Sequence, residues 1–183
     1  MKISKGYLKG KNIVSCPGIR SVSMRAKKAC FDILEEELKD KWVLDLFAGS
    51  GGLGIEAISC GAKKAVFVEV KRRCIEMIRR NLISLRILPK AELYLKDVFS
   101  CIKKFFRENK KFEIIFVDPP YYKGMVRMTL QTLKEYDILA PYGWIVCFCY
   151  LKDDFFEKDD KFFLFSKRKF GQTLFLIYNK KDG

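Results

Sequence analysis

The residues best placed to do chemistry fall in two short runs, Asp45-Leu46-Phe47-Ala48-Gly49-Ser50-Gly51-Gly52-Leu53-Gly54 and Asp118-Pro119-Pro120-Tyr121. Each follows an apolar segment, residues 42–47 and 112–117, that reads as a buried strand. The glycines of the first run allow a ligand to approach the backbone closely. Glu69, 20 positions after Gly49, ends the next apolar run with a carboxylate able to accept both hydroxyls of a ribose. By that spacing alone the ligand is a nucleoside of either a dinucleotide or S-adenosylmethionine. Asp45 separates the two, because a carboxylate repels a pyrophosphate and attracts an amino acid's ammonium. With Asp45, Phe47, Gly49, Gly51, Glu69 and Val70, the expected cofactor set includes Asp97 and Val98 after the third apolar run, near the adenine. Asp97 equally suits the cap of the helix that follows it.

The second run suits a planar amine. An exocyclic amino group of a nucleobase has its lone pair delocalised into the ring, so a site that methylates it must fix and rehybridise the nitrogen. Asp118 and the Pro119 carbonyl can each accept one N–H bond, Pro119 and Pro120 stiffen the turn, and Tyr121 can stack on a flipped base. The expected catalytic set is therefore Asp118, Pro119, Pro120 and Tyr121, with Tyr122 as a further stacking candidate.

Positioning these runs requires strands and helices in alternation. Strands are expected over residues 42–47, 65–70, 92–96, 112–117 and 144–149, with helices over 23–38, 53–60, 72–85, 99–107 and 125–139. Residues 161–165 and 173–178, joined through Gly171, read as an edge hairpin. This is an α/β chain of Rossmann-like class, a mostly parallel seven-stranded sheet with helices on both faces and an antiparallel edge near the end. Residues 1–40 are read as a basic arm and helix packed on the core, and 41–183 as one globular unit.

A length of 183 residues and 49% apolar content suit one domain, and no apolar stretch is long enough to span a membrane. A cytoplasmic monomer is expected. The seven cysteines form no Cys-x-x-Cys and histidine is absent, so no metal site and no disulfide are expected. The formal charge is +14, and the first 28 residues hold eight basic residues and no acid. Lys9, Lys11, Arg20, Arg25, Lys27 and Lys28 are the expected phosphate contacts, set against the alternative of a lysine-rich solvated surface.

The chain resembles the bacterial small-subunit ribosomal RNA guanine-N2 methyltransferases over nearly its full length. The likeness rests on the Gly6 to Lys11 arm, Arg20 to Phe31, Asp45-x-Phe47-Ala48-Gly49-Ser50-Gly51 with Gly54-x-Glu56-Ala57, Asn81-Leu82, Asp118-Pro119-Pro120-Tyr121 and Gly171-x-Thr173 with Tyr178. It implies transfer of a methyl group from S-adenosylmethionine to N2 of a guanine in ribosomal RNA, in a 30S assembly intermediate. Two features depart from the family pattern: the Pro and acid expected before the first helix are missing around Arg20-Ser21-Val22-Ser23, and Phe148 stands where the family has an acid. A DNA or RNA adenine-N6 methyltransferase shares the Asp-Pro-Pro-aromatic turn. A nicotinamide dehydrogenase shares the glycine pattern, but this chain has no histidine for proton transfer.

Overall fold

The computed structural model describes residues 1–19, 22–121, 124–157 and 159–180. Twelve elements form among them: α1 (Met24–Ile33), β1 (Trp42–Leu46), α2 (Gly52–Ser59), β2 (Lys64–Glu69), α3 (Arg72–Ser84), β3 (Ala91–Leu95), α4 (Val98–Arg107), β4 (Phe112–Val117), α5 (Met125–Glu135), β5 (Leu139–Tyr150), β6 (Phe162–Phe170) and β7 (Thr173–Lys180). The seven strands make one sheet in the order β3-β2-β1-β4-β5-β7-β6. The first five run parallel, and β7 pairs antiparallel with both β5 and β6.

Alternation along the strands feeds two apolar layers. Leu44, Leu46, Ile115 and Val117 face α4 and α5, where Phe105 and Leu130 are fully buried. Val43, Ile114 and Phe116 face α1 and α2, and Phe67 and Ala65 face α2 and α3. The second layer also takes in the N-terminal arm. Ile3, Leu8 and Ile13 are buried beside Ile58 and Ile78, and a single antiparallel bridge joins Lys2 to Asn12.

Several boundaries differ from the sequence expectation, among them the ends of α5 at Glu135 and of β6 at Phe170. The first helix stops at Ile33, with only a 3-10 turn at Glu36–Leu38 beyond it. Glu35-Glu36-Glu37 would otherwise set three negative charges against the carbonyl end of a helix dipole. β5 begins at Leu139 and not Trp144, because Leu139 pairs with Phe112 before a register shift brings Trp144 opposite Ile114. Pro141 and Gly143 gave that bulge the look of a turn, and Tyr142 takes the left-handed backbone there, φ 56°.

The strand order reverses at β1, with β2 on one side and β4 on the other. Ligands of open α/β sheets bind at the carboxyl ends of strands on either side of such a reversal. Register places Leu46 opposite Val117, so the chain leaves β1 into Phe47 and β4 into Asp118 at the same height. That adjacency joins two runs some seventy residues apart in sequence.

Candidate active site

The loop after β1 is shaped by backbone geometry. Phe47 has φ 61°, a left-handed conformation unusual outside glycine, and Gly49 and Gly51 follow at 54° and 77°. A Cβ on Gly49 would lie 2.8 Å from Ile19, and one on Gly54 would lie 2.3 Å from the Phe67 ring. Gly54 therefore sets how closely α2 packs on β2. Gly51 is the N-cap of α2 and packs against Ile78, behind the loop.

Two carboxylates hold this loop from below. The Gly49 N–H donates to Glu69 Oε2 at 2.9 Å, while the Lys71 N–H donates to Oε1 at 2.9 Å. The Gly54 N–H donates to Asp45 Oδ2 at 2.9 Å. Burial pushes the Asp45 carboxyl well above the usual carboxylate range. The Gly54 N–H opposes that shift, and the negative charges of Asp118 and Glu69 add to it. A buried acid of this kind, beside two further acids, favours a cationic guest.

These groups open on a cavity of about 680 Å³. Asp45, Phe47, Gly49, Glu69, Val70, Asp97 and Val98 line it from the β1–β3 side, and Asp118, Pro119, Pro120 and Tyr121 from the β4 side. Gly51 is the one expected cofactor residue not on the wall; its contribution is the turn. Asp97 caps α4 by accepting the Ser100 N–H at 2.9 Å, and it also lines the cavity.

Tyr121 is held at both ends. Its hydroxyl shares a 2.7 Å hydrogen bond with Thr173 Oγ1. Its ring lies 5.7 Å, centroid to centroid, from that of Tyr150. Thr173 starts β7, so the antiparallel edge strand orients the aromatic of the Asp118 turn. Tyr122 lies outside the described residues.

The chain matches, over residues 1–179, the family described as Conserved hypothetical protein 95. It belongs to that family. YlbH of Bacillus subtilis is 30% identical over 183 residues, 99% of this chain and 100% of that protein. A Buchnera aphidicola protein named ribosomal RNA small subunit methyltransferase D is 34% identical over 135 residues, 73% of this chain and 69% of its own. Among solved structures, yhhF of Escherichia coli superposes with a TM-score of 0.87 at 25% identity, covering 100% of this chain and 99% of the other. Family membership agrees with the resemblance carried by the sequence motifs, and the fold is shared with structures described as a putative methyltransferase and a putative methylase.

Two expectations change. Lys27 is not a surface lysine: it is 1% exposed, and its Nζ donates to Glu56 Oε2 at 2.5 Å and to the Lys2 carbonyl at 3.0 Å. An ammonium held in this way is withdrawn from RNA phosphates, because α1 turns Lys27 inward next to buried Ala26. Cys16 and Cys74 form a disulfide, contrary to the all-reduced expectation, because the arm folds back along α3 and brings together residues 58 apart. The other five cysteines are free. The arm is docked on the core: Val14 and Asn81 exchange two 2.9 Å hydrogen bonds, and the Tyr7 N–H donates to the Ser59 carbonyl at 2.9 Å. Lys9, Lys11, Arg25 and Lys28 are exposed, while Arg20 lies outside the described residues.

Several cavity residues had escaped the sequence reading. Ile19, Val22, Met125 and Phe148 give the wall its apolar part. None stands in a glycine or proline motif, and only the fold shows that they converge. Val22 and Ile19 come from the docked arm, whose burial is a tertiary result.

Proposed function

We propose that this chain methylates the exocyclic N2 amine of a guanine in small-subunit ribosomal RNA, with S-adenosylmethionine as methyl donor and a 30S assembly particle as substrate. The observation that carries the reading is the meeting of the β1 glycine loop and the Asp118 turn in the lining of one cavity. The relatives named as small-subunit ribosomal RNA methyltransferases support the substrate class.

The residues fit the donor. Asp45 meets its ammonium, Glu69 has lone pairs left for the ribose hydroxyls after holding Gly49 and Lys71, and Val70, Asp97 and Val98 border the adenine. The bound sulfonium supplies an electrophilic methyl carbon. At the end of the neighbouring strand, Asp118 and the Pro119 carbonyl accept the amine's two N–H bonds and aim its developing lone pair. Tyr121, braced by Thr173 and Tyr150, supplies a face for the base. The test is single-turnover transfer of labelled methyl groups to 30S particles and to naked RNA from cells lacking the gene, followed by digestion to nucleosides. N2-methylguanosine supports the reading. N6-methyladenosine replaces it, and absence of transfer to either RNA defeats it.

Asp45→Asn is expected to act in opposite directions on affinity and stability. Losing the charge removes a charge-assisted contact worth about 1.5–3 kcal/mol, so donor affinity should fall roughly 10- to 100-fold by calorimetry. Stability of the free protein should rise at neutral pH. The native fold favours the protonated acid, so its carboxyl costs nothing below the unfolded value near 3.9, and its penalty grows as pH rises above that. Melting curves from pH 4 to 8 should converge at the acid end and separate toward neutrality, with the variant higher. Parallel curves, or unchanged donor affinity, would remove Asp45 from this role.

A further inference from the structure

The charge of the molecule is unevenly spent. Five of the ten arginines, Arg72, Arg73, Arg79, Arg80 and Arg86, fall within residues 72–86, whereas the 26 lysines are scattered along the whole chain. All five are exposed, on α3 or just after it. Elsewhere several surface bases have taken nearby acids: Lys64 pairs with Glu92 at 2.7 Å, Arg127 with Asp154 at 2.8 Å and Lys180 with Asp137 at 2.8 Å. Within residues 72–86 Glu76 is the one acid, and among the described residues none of the five arginines makes an ion pair.

The place of α3 gives this charge a direction. Val70 and Lys71, which lead into the helix, line the cavity. From there 13 residues run back across the sheet, a length of roughly 20 Å at about 1.5 Å per residue. Arg72 and Arg79, seven residues apart, lie on one stripe, and Arg73 and Arg80 on the next. The basic arm is fixed to the same helix by Asn81 and by the Cys16–Cys74 bond, and Lys90 beyond it sits 5.4 Å over the Tyr7 ring. The result is a rigid, predominantly basic track, five arginines to one acid, that begins at the rim of the cavity. Arginine forks match phosphate oxygens in pairs and shed water more readily than ammonium groups.

We propose that the exposed arginine face of α3 is the principal phosphate-binding track for the RNA strand flanking the target nucleotide, with Lys9 and Lys11 of the docked arm extending it. This rests on the RNA methyltransferase reading above, and it moves the main backbone contact from the arm's lysines to a helix.

The test compares two triple variants of the full chain, each removing three charges. One is Arg72→Gln/Arg79→Gln/Arg80→Gln. The other is Lys39→Gln/Lys63→Gln/Lys103→Gln, exposed lysines placed elsewhere on the molecule. Affinity for a single-stranded fragment of small-subunit ribosomal RNA is measured at several salt concentrations, with methyl transfer and donor binding alongside. The arginine variant should flatten the salt slope by up to about 2, at about 0.7 per lost single-strand phosphate contact, and raise KM for RNA at unchanged kcat and donor affinity. The lysine variant should keep the parent slope. Arg72→Lys/Arg79→Lys/Arg80→Lys should restore most of the slope. Equal slopes for the arginine and lysine triples would overturn the track while leaving the methyltransferase reading intact. A parent chain that transfers no methyl group to RNA would overturn both.

Discussion

Asp118→Ala should lower the rate of methyl transfer by on the order of a hundredfold while leaving donor affinity within error of the parent, since the lost acceptor matters most as the nitrogen rehybridises. The turn enters the cavity from β4, and Asp45 and Glu69, the residues proposed to hold the donor, lie on β1 and β2, so the two proposed functions sit on separate strands. Asp118→Asn keeps an acceptor oxygen in the same place without its charge and should fall between parent and alanine variant. Single-turnover kinetics at saturating donor, with calorimetry on the same preparations, separates the effects. An alanine variant as fast as the parent would end the amine-clamp assignment. One that no longer binds the donor would mean that Asp118 builds the donor site.

Motifs tied to strand ends were readable because their chemistry and their backbone demands coincide. Gly49, Gly51 and Gly54 are needed for left-handed turns and close packing, and the two prolines fix a turn whatever surrounds them. The parallel sheet and its antiparallel edge followed from short apolar runs that alternate with helical patterns and are bounded by such turns. What could not be read were contacts made by folding the chain back on itself. Nothing in the spacing of Cys16 and Cys74 marks them as neighbours. Thr173 is one threonine among several until β7 sets it against Tyr121. Lys27 and Lys28 look alike in sequence, and only the rotation of α1 against the sheet sends one inward and the other out.

That pair gives the sharpest stability prediction. Glu56 is fully buried and takes four donors: the Ser4 N–H and hydroxyl at 2.6 Å each and the Lys5 N–H at 2.8 Å on Oε1, and Lys27 Nζ on Oε2. Lys27→Met would keep the volume and apolar stem but leave Oε2 without its cation. Breaking a buried pair on one side costs about 3–5 kcal/mol, because the remaining charge has neither water nor partner. At about 2–4 °C per kcal/mol for a chain this long, melting should drop by roughly 6–20 °C. Lys28→Met, one residue along on the exposed side of α1, should move it by less than about 0.5 kcal/mol, as surface substitutions usually do. Because the same carboxylate anchors Ser4 and Lys5, and Lys27 also holds the Lys2 carbonyl, the loss should also show locally. Amide exchange at Ser4 and Lys5 should accelerate in the Lys27 variant beyond what its global destabilisation accounts for. Equal melting temperatures for the two variants would show that Lys27 is solvated, and would restore it to the basic surface.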